Sequence, residues 1–273
     1  LFVSGWFGLI TRTPVIYDIR ENYYLNIINT KAFPAGIRYL IALLVRLKEW
    51  MASTVIDHFL LAERSYEKEL SFIRKKYSVV ENKCKLPTTF KTSRVKGGLK
   101  FLFSGTLDES TGVFQAIQLA KELHGENSEV SLKIIGYCAM ESTRIRIQTV
   151  TKGHDFISIT GLYELVDHQQ ILDEIAEANA GIIFYPTSPH TEHCIPTKLY
   201  EYMAAELPII YDKKVFWRNL VVGFGAGMEI NFEHPMVSEI IFNIQTQTFY
   251  PNHPAFAHWE SEEKAFLGVI DSL

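Results

Sequence analysis

Cysteine is scarce in this chain, and the three present (Cys84, Cys138 and Cys194) are too few and too far apart for a disulfide framework. No CxxC pair occurs, which removes the common zinc and dithiol-redox signatures and makes a reducing compartment the expected setting. Long hydrophobic runs are missing as well. The apolar stretch worth testing as a membrane span, residues 39–45, is closed by Arg38 and Arg46. It falls far short of the roughly 20 residues a spanning helix needs. No leader is visible, but the chain opens at Leu1 rather than Met, and the first domain is expected to be incomplete at its start. Neither sign of charge dominates, with 27 Lys and Arg against 31 Asp and Glu.

What is present is core-forming material. A chain of 273 residues that is 47% hydrophobic can bury two modest cores, which excludes a disordered tail or a collagen-like fibre. Its charge is unevenly shared. Residues 1–92 hold 14 Lys and Arg against 8 Asp and Glu, while the remainder holds 13 against 23. A basic first half suits an anionic partner such as a lipid surface, and residues 37–50 (IRYLIALLVRLKEW) mix apolar and basic side chains as interfacial helices do. The alternative is a packed helix whose basic residues face water. Nucleic acid is not expected, because no basic cluster is interleaved with an aromatic recognition motif.

Strand-like and helix-like segments alternate. Strands are predicted at 14–19, 55–62, 99–104, 130–135, 157–160, 181–185 and 208–211, and helices at 37–51, 64–77, 112–123, 168–178 and 196–205. Between them, residues 81–98 lose all periodicity and read as a linker. Alternation of this kind predicts parallel sheets built from βαβ units. The expected fold class is therefore α/β with two doubly wound, Rossmann-like domains, residues 1–92 and residues 93–250, followed by a closing amphipathic helical segment at 251–273.

The segment richest in chemistry is 181–211 (GIIFYPTSPHTEHCIPTKLYEYMAAELPIIY). A buried strand runs into a polar loop, and Pro196 then stands at a position suited to a helix start. Free N–H groups of that helix would face the crevice above the strand ends, where open α/β sheets bind ligands and phosphate is favoured. Lys198 adds a cation in the first turn, and Glu201 follows one turn after Thr197, placed to bond a ribose diol. By pattern alone the favoured reading is an ordinary amphipathic helix with Leu199, Tyr202 and Met203 buried and Lys198 and Glu201 in water. His190, Glu192, His193 and Cys194 offer zinc ligands, but adjacent ligands on one loop poorly suit tetrahedral geometry, so no metal site is expected. Residues 223–227 (GFGAG) lack the last glycine of a dinucleotide fingerprint and read as a turn.

The order of several short pieces resembles the group 1 glycosyltransferases, a retaining family with the two-domain GT-B fold. Pro196-x-Lys198-x-x-Glu201-Tyr202-Met203-Ala204 followed by Leu207-Pro208-Ile209-Ile210 is similar to the family's donor-site helix. Residues 15–23 (VIYDIRENY) resemble its Tyr-Asp-x-His-Glu element, residues 103–107 (FSGTL) with Gly112 its opening glycine loop, and residues 132–136 and 159–161 its next two strands. The resemblance implies transfer of a sugar from a nucleotide-diphosphate sugar to a glycan or lipid-linked acceptor, in surface polysaccharide or glycolipid assembly at the cytoplasmic face of a membrane. It implies a donor cleft between the domains, a closing helix at 251–273 that packs back on the first domain where core packing within the second is the alternative, and no metal ion or bound cofactor.

On the donor side the resemblance implies Gly105 and Thr106 near the phosphates, Tyr163 beside the base, Pro196 and Lys198 at the diphosphate and Glu201 on the ribose. On the catalytic side it implies Arg20, Glu21 and His193. The chain departs from the pattern at three places. Arg20 stands at the family's active-site His, His193 at a frequent Glu, and Thr106 and Thr111 where a basic pair grips the diphosphate. A non-catalytic, nucleotide-sugar-binding relative and a GT-B nucleotide-sugar 2-epimerase are the alternatives.

Overall fold

The computed structural model describes the whole chain except residues 30–32, 75, 187–193 and 214, and the side chains of residues 215 and 216. The chain divides into two compact units. The first comprises Leu1–Lys83, Thr187–Ile195 and Trp259–Leu273, and the second Cys84–Pro186 and Pro196–His258.

The first unit opens with α1 (Phe2–Thr11), then β1 (Ile16–Ile19), α2 (Tyr23–Asn29), α3 (Arg38–Ala52), β2 (His58–Leu61), the short α4 (Tyr66–Glu69) and β3 (Tyr77–Val79). Its three strands form a parallel sheet in the order β1-β2-β3. Ile19, Phe59 and Leu61 pack there with Leu70, Phe72 and Ile73. The helix predicted over residues 64–77 stops after Glu69. Leu70 leaves helical geometry and Arg74 takes a positive φ of 53°, which turns Phe72 and Ile73 into the core and frees Tyr77 to begin a strand. The helix α1 escaped the sequence reading because its buried face is made of glycine. A side chain at Gly5 would meet Val55 Cγ2 at 2.3 Å, and one at Gly8 would meet Val15 Cγ2 at 2.4 Å.

The second unit runs β4 (Leu99–Thr106), α5 (Val113–Glu126), β5 (Val130–Tyr137), α6 (Glu141–Thr151), β6 (Ile157–Leu162), α7 (His168–Glu177), β7 (Ala180–Ile183), α8 (Thr197–Ala204), β8 (Ile209–Asp212), α9 (Val215–Gly223), β9 (Gly227–Ile230) and α10 (Val237–Thr246). The six strands are parallel in the order β6-β5-β4-β7-β8-β9. Leu99, Phe101 and Phe103 of β4 and Val130, Leu132 and Ile134 of β5 bury one face against Val113, Ile117 and Ala120 of α5. Both faces of such a sheet are covered, which is why β7 reads as a continuous apolar run. Residues 224–226 form the turn between α9 and β9, with Gly225 at φ +57°. The segment 81–98 holds no regular element, yet its second half is tied down. Ser93 and Val95 donate backbone bonds to the carbonyls of Ala176 and Glu177 at 2.9 and 3.0 Å.

The last helix, α11 (Glu260–Ser272), belongs to the first unit. Trp259 and Phe266 pack edge to face at 5.9 Å and join Leu60, Val80 and Val269 in a small core. Lys83 Nζ lies 2.5 Å from Glu262 Oε1, both side chains being buried.

Candidate functional site

In the second unit the chain reverses its direction of strand addition between β4 and β7, and the crevice beyond the strand ends at that point is where open α/β sheets take ligands. Gly105 stands there, aligned across the sheet with Gly136 of β5 and Gly161 of β6. All three have positive φ (101°, 151° and 87°). A side chain at Gly136 would lie 1.7 Å from the Gly105 carbonyl oxygen, so the three strand ends can sit this close only as glycine.

The helix α8 follows β7 and starts above this row. Pro196 is its N-cap rather than its first helical residue, and no side chain caps it. The second helical residue is Lys198, only 6% exposed. Its Nζ has no hydrogen-bond partner among the described residues. Instead it rests on the ring of Phe103 at 4.1 Å and near that of Tyr185 at 5.5 Å. Its Cε lies 3.7 Å from where a Gly105 side chain would begin. Burial pushes the ammonium down to about 7, partly opposed by the Glu201 charge. A cation held this way is short of a counter-anion.

Glu201 lies one turn on, with 12% of its side chain exposed, and its Oε1 is 2.9 Å from Nε2 of His168, the first residue of α7. The helix is fixed to the sheet by Tyr202. Its hydroxyl accepts from the Ser104 backbone N–H at 3.2 Å and bonds Ser104 Oγ at 2.9 Å. A side chain at Gly181 would meet the Tyr202 ring at 2.4 Å, so Gly181 makes the room. Thr111 is occupied structurally. Its hydroxyl donates to the Thr106 carbonyl at 2.7 Å and accepts from the Asp108 N–H, so it closes the turn before α5. Thr106 is exposed beside Gly105. Tyr163 lies just past β6, more than half exposed, with the Arg144 guanidinium 5.2 Å over its ring.

The structure therefore sets the Lys198 side chain over the open side of Gly105, Thr106 beside Gly105 and Pro196 beside Lys198, and places Glu201 one turn from Lys198. Arg20 and Glu21 lie in the first unit, at the end of β1. Arg20 is exposed and paired with Asp18 at 3.0 Å, and Glu21 accepts from Asn26. His193 falls outside the described residues. Sequence reasoning missed His168, Phe103 and Tyr185, none of which has a local spacing that would announce it. It also missed Glu63, at the end of β2, whose carboxyl burial pushes up to about 7 against a hydrogen bond with Cys194. Among the described residues no group of three His, Cys, Asp or Glu is placed to hold a metal ion, and no helix is long and apolar enough to cross a membrane.

No protein-family model matches this chain, and no curated protein sequence does. Solved structures do. The Anabaena HepE structure in complex with UDP-glucose superposes with a TM-score of 0.68 at 12% identity, over 100% of this chain and 76% of that one. Sucrose-phosphate synthase from Thermosynechococcus elongatus gives 0.65 at 15%, over 99% and 71%. A mutant of S. aureus TarM gives 0.61 at 12%, over 97% of this chain and 53% of that one. At these identities the likeness shows the fold, which is of the GT-B type, two parallel-sheet α/β units.

Proposed function

We propose that this protein is a glycosyltransferase that binds a nucleotide-diphosphate sugar, with UDP as the first base to test, on its second unit and passes the sugar to a glycan or lipid-linked acceptor with retention of configuration. The observation that carries the reading is Lys198: a buried, unpartnered ammonium at the N-terminus of α8, against Gly105 at the strand switch point. A diphosphate supplies the missing anion. The free N–H groups of α8 and the Lys198 charge stabilise it as it departs with the electrons of the bond to the anomeric carbon, while the acceptor oxygen forms the new bond from the same face of the sugar and its proton passes to an oxygen of the departing phosphate. Glu201, held by His168, takes the ribose hydroxyls, and the exposed Tyr163 ring flanks the base. In this reading no divalent cation is needed, and the setting is the cytoplasmic face of a membrane. Support comes from the fold and from a structure of that fold, HepE, that holds UDP-glucose.

The test is thermal shift and calorimetry with UDP, GDP, ADP and their sugar conjugates, followed by turnover with and without acceptors in EDTA. The expected result is stabilisation by one base, lost in Lys198→Met. Binding without turnover on any acceptor would make the chain a nucleotide-sugar-binding relative. A sugar altered while still on the nucleotide would make it an epimerase. A folded protein that no nucleotide stabilises would sink the reading.

A further inference from the structure

A strained turn sets one aromatic ring at the strand ends of the second unit. At the end of β6, Leu162 takes a positive φ of 64° although it is not glycine, and the Tyr163 N–H donates back to the Gly161 carbonyl at 2.8 Å. That is a three-residue turn of the rare, strained hand. It is enforced from outside, because Leu162 is buried and its carbonyl accepts from the Cys138 N–H at 3.1 Å. Strain held in place by its surroundings points to function. Here it turns Tyr163 out of the sheet, where the residue is 56% exposed. Just past the end of the neighbouring strand β5, Met140 is exposed to the same degree.

Arg144, the fourth residue of α6, reaches this ring, its Cζ 5.2 Å from the ring centre. Face-to-face contact would be about 3.5–4 Å, so the guanidinium overhangs the ring rather than covering it. Its Nε is buried with no hydrogen-bond partner. Among the described residues the guanidinium makes no ion pair, although Glu141 lies three residues before it and Glu164 follows Tyr163. A half-buried arginine that ignores nearby carboxylates has its donors in reserve.

We infer that Arg144 selects the base of the donor, by donating to a carbonyl oxygen on the edge of a base laid against Tyr163. The inference rests on the donor-site reading of the second unit, and the geometry carries the base to this place. Lys198 stands over Gly105 of β4, and Gly161 lies in register two strands away, roughly 10 Å across the sheet. Glu201 bonds His168, which opens the helix that the Tyr163 turn leads into. A nucleotide with its diphosphate at Lys198 and its ribose at Glu201 therefore lays its base toward Tyr163. A guanidinium has donors and no acceptor. It pairs with O4 of uracil, or with O6 of guanine or hypoxanthine. Against the amino group that cytosine or adenine carries at that position it meets another donor, and both are left unpaired, which is the costly case.

The experiment is calorimetry on the full chain with two matched pairs, UDP with CDP and IDP with ADP. Each pair exchanges a carbonyl for an amino group, together with the adjoining ring-nitrogen proton. Inorganic pyrophosphate probes the diphosphate site without a base. In whichever pair binds, the carbonyl member should bind about ten-fold or more tightly. Arg144→Met should bring the two members within about two-fold of each other, while Arg144→Lys, which keeps a donor but not the planar fork, should recover part of the preference. Nucleotides that bind with no difference inside a pair overturn the inference and leave the donor site standing. So does a preference that survives Arg144→Met. A folded protein that binds neither the nucleotides nor pyrophosphate removes the donor site, and this inference with it.

Discussion

Lys198 is the residue at which structure and chemistry meet most directly. Its ammonium is depressed to about 7 by burial, so above that pH the empty site holds it largely neutral. A bound diphosphate favours the charged form, and binding near pH 8 should therefore take up close to one proton. Affinity should be flat below pH 7 and fall as pH rises above it, until the pKa of the occupied site is passed. Calorimetry at pH 8 in buffers of different ionisation heat measures that uptake, and its absence would remove Lys198 from the diphosphate. Lys198→Met should weaken nucleotide diphosphate by about 100-fold. The same change should raise the melting temperature of the empty protein by about 2–4 °C, because it removes an uncompensated buried amine. His168 acts one step removed, by holding Glu201. In His168→Ala, UDP should bind about 3–10-fold more weakly, with little change for a 2′,3′-dideoxy analogue that has no diol to lose. Equal losses for both ligands would assign His168 a purely structural role.

At the scale of elements, α8 is held from its far end. Arg94, from the irregular segment before β4, donates through Nη1 to the carbonyls of Ile175 and Ala176 and through Nη2 to that of Ala205 at 2.9 Å. Those are terminal carbonyls of α7 and α8, the two helices that carry His168 and Glu201. Burial lowers the guanidinium to about 10, which leaves it charged at neutral pH. Arg94→Met strands three carbonyls at once and should cost about 2–4 kcal/mol in urea unfolding, with Arg94→Lys recovering part of it. A loss under roughly 0.5 kcal/mol would show that water satisfies those carbonyls as well as Arg94 does.

For the molecule as a whole, the charge imbalance along the chain does not survive folding. The acidic α11 joins the basic first unit, which then holds 13 Lys and Arg against 13 Asp and Glu. The tie of α11 is the buried Lys83–Glu262 pair, supported by Glu81 at 3.7 Å from the same amine. Glu262→Gln should destabilise by on the order of 3 kcal/mol, because it leaves Lys83 buried with a weaker partner. Chemical denaturation checks this, and an unchanged midpoint would mean that α11 is held by Trp259 and Phe266 alone.

Amino-acid order by itself determined the parallel α/β architecture and the position of α8. Buried parallel strands must be continuous apolar runs, as at 101–103 and 181–185, and a helix start after such a strand carries local marks such as Pro196. It was silent or misleading wherever a residue's environment came from far along the chain. Residues 2–11 show no amphipathic stripe because glycines form the buried side, and residues 64–77 break early because Phe72 and Ile73 are drawn into a core shared with β1 and β2. Tertiary structure alone decided that Lys198 is buried on Phe103, that Glu201 meets His168 across 33 residues, and that Arg38 and Arg46 face inward. Burial and pairing are properties of the space around a side chain, and a local pattern records only which residues are its neighbours in the chain.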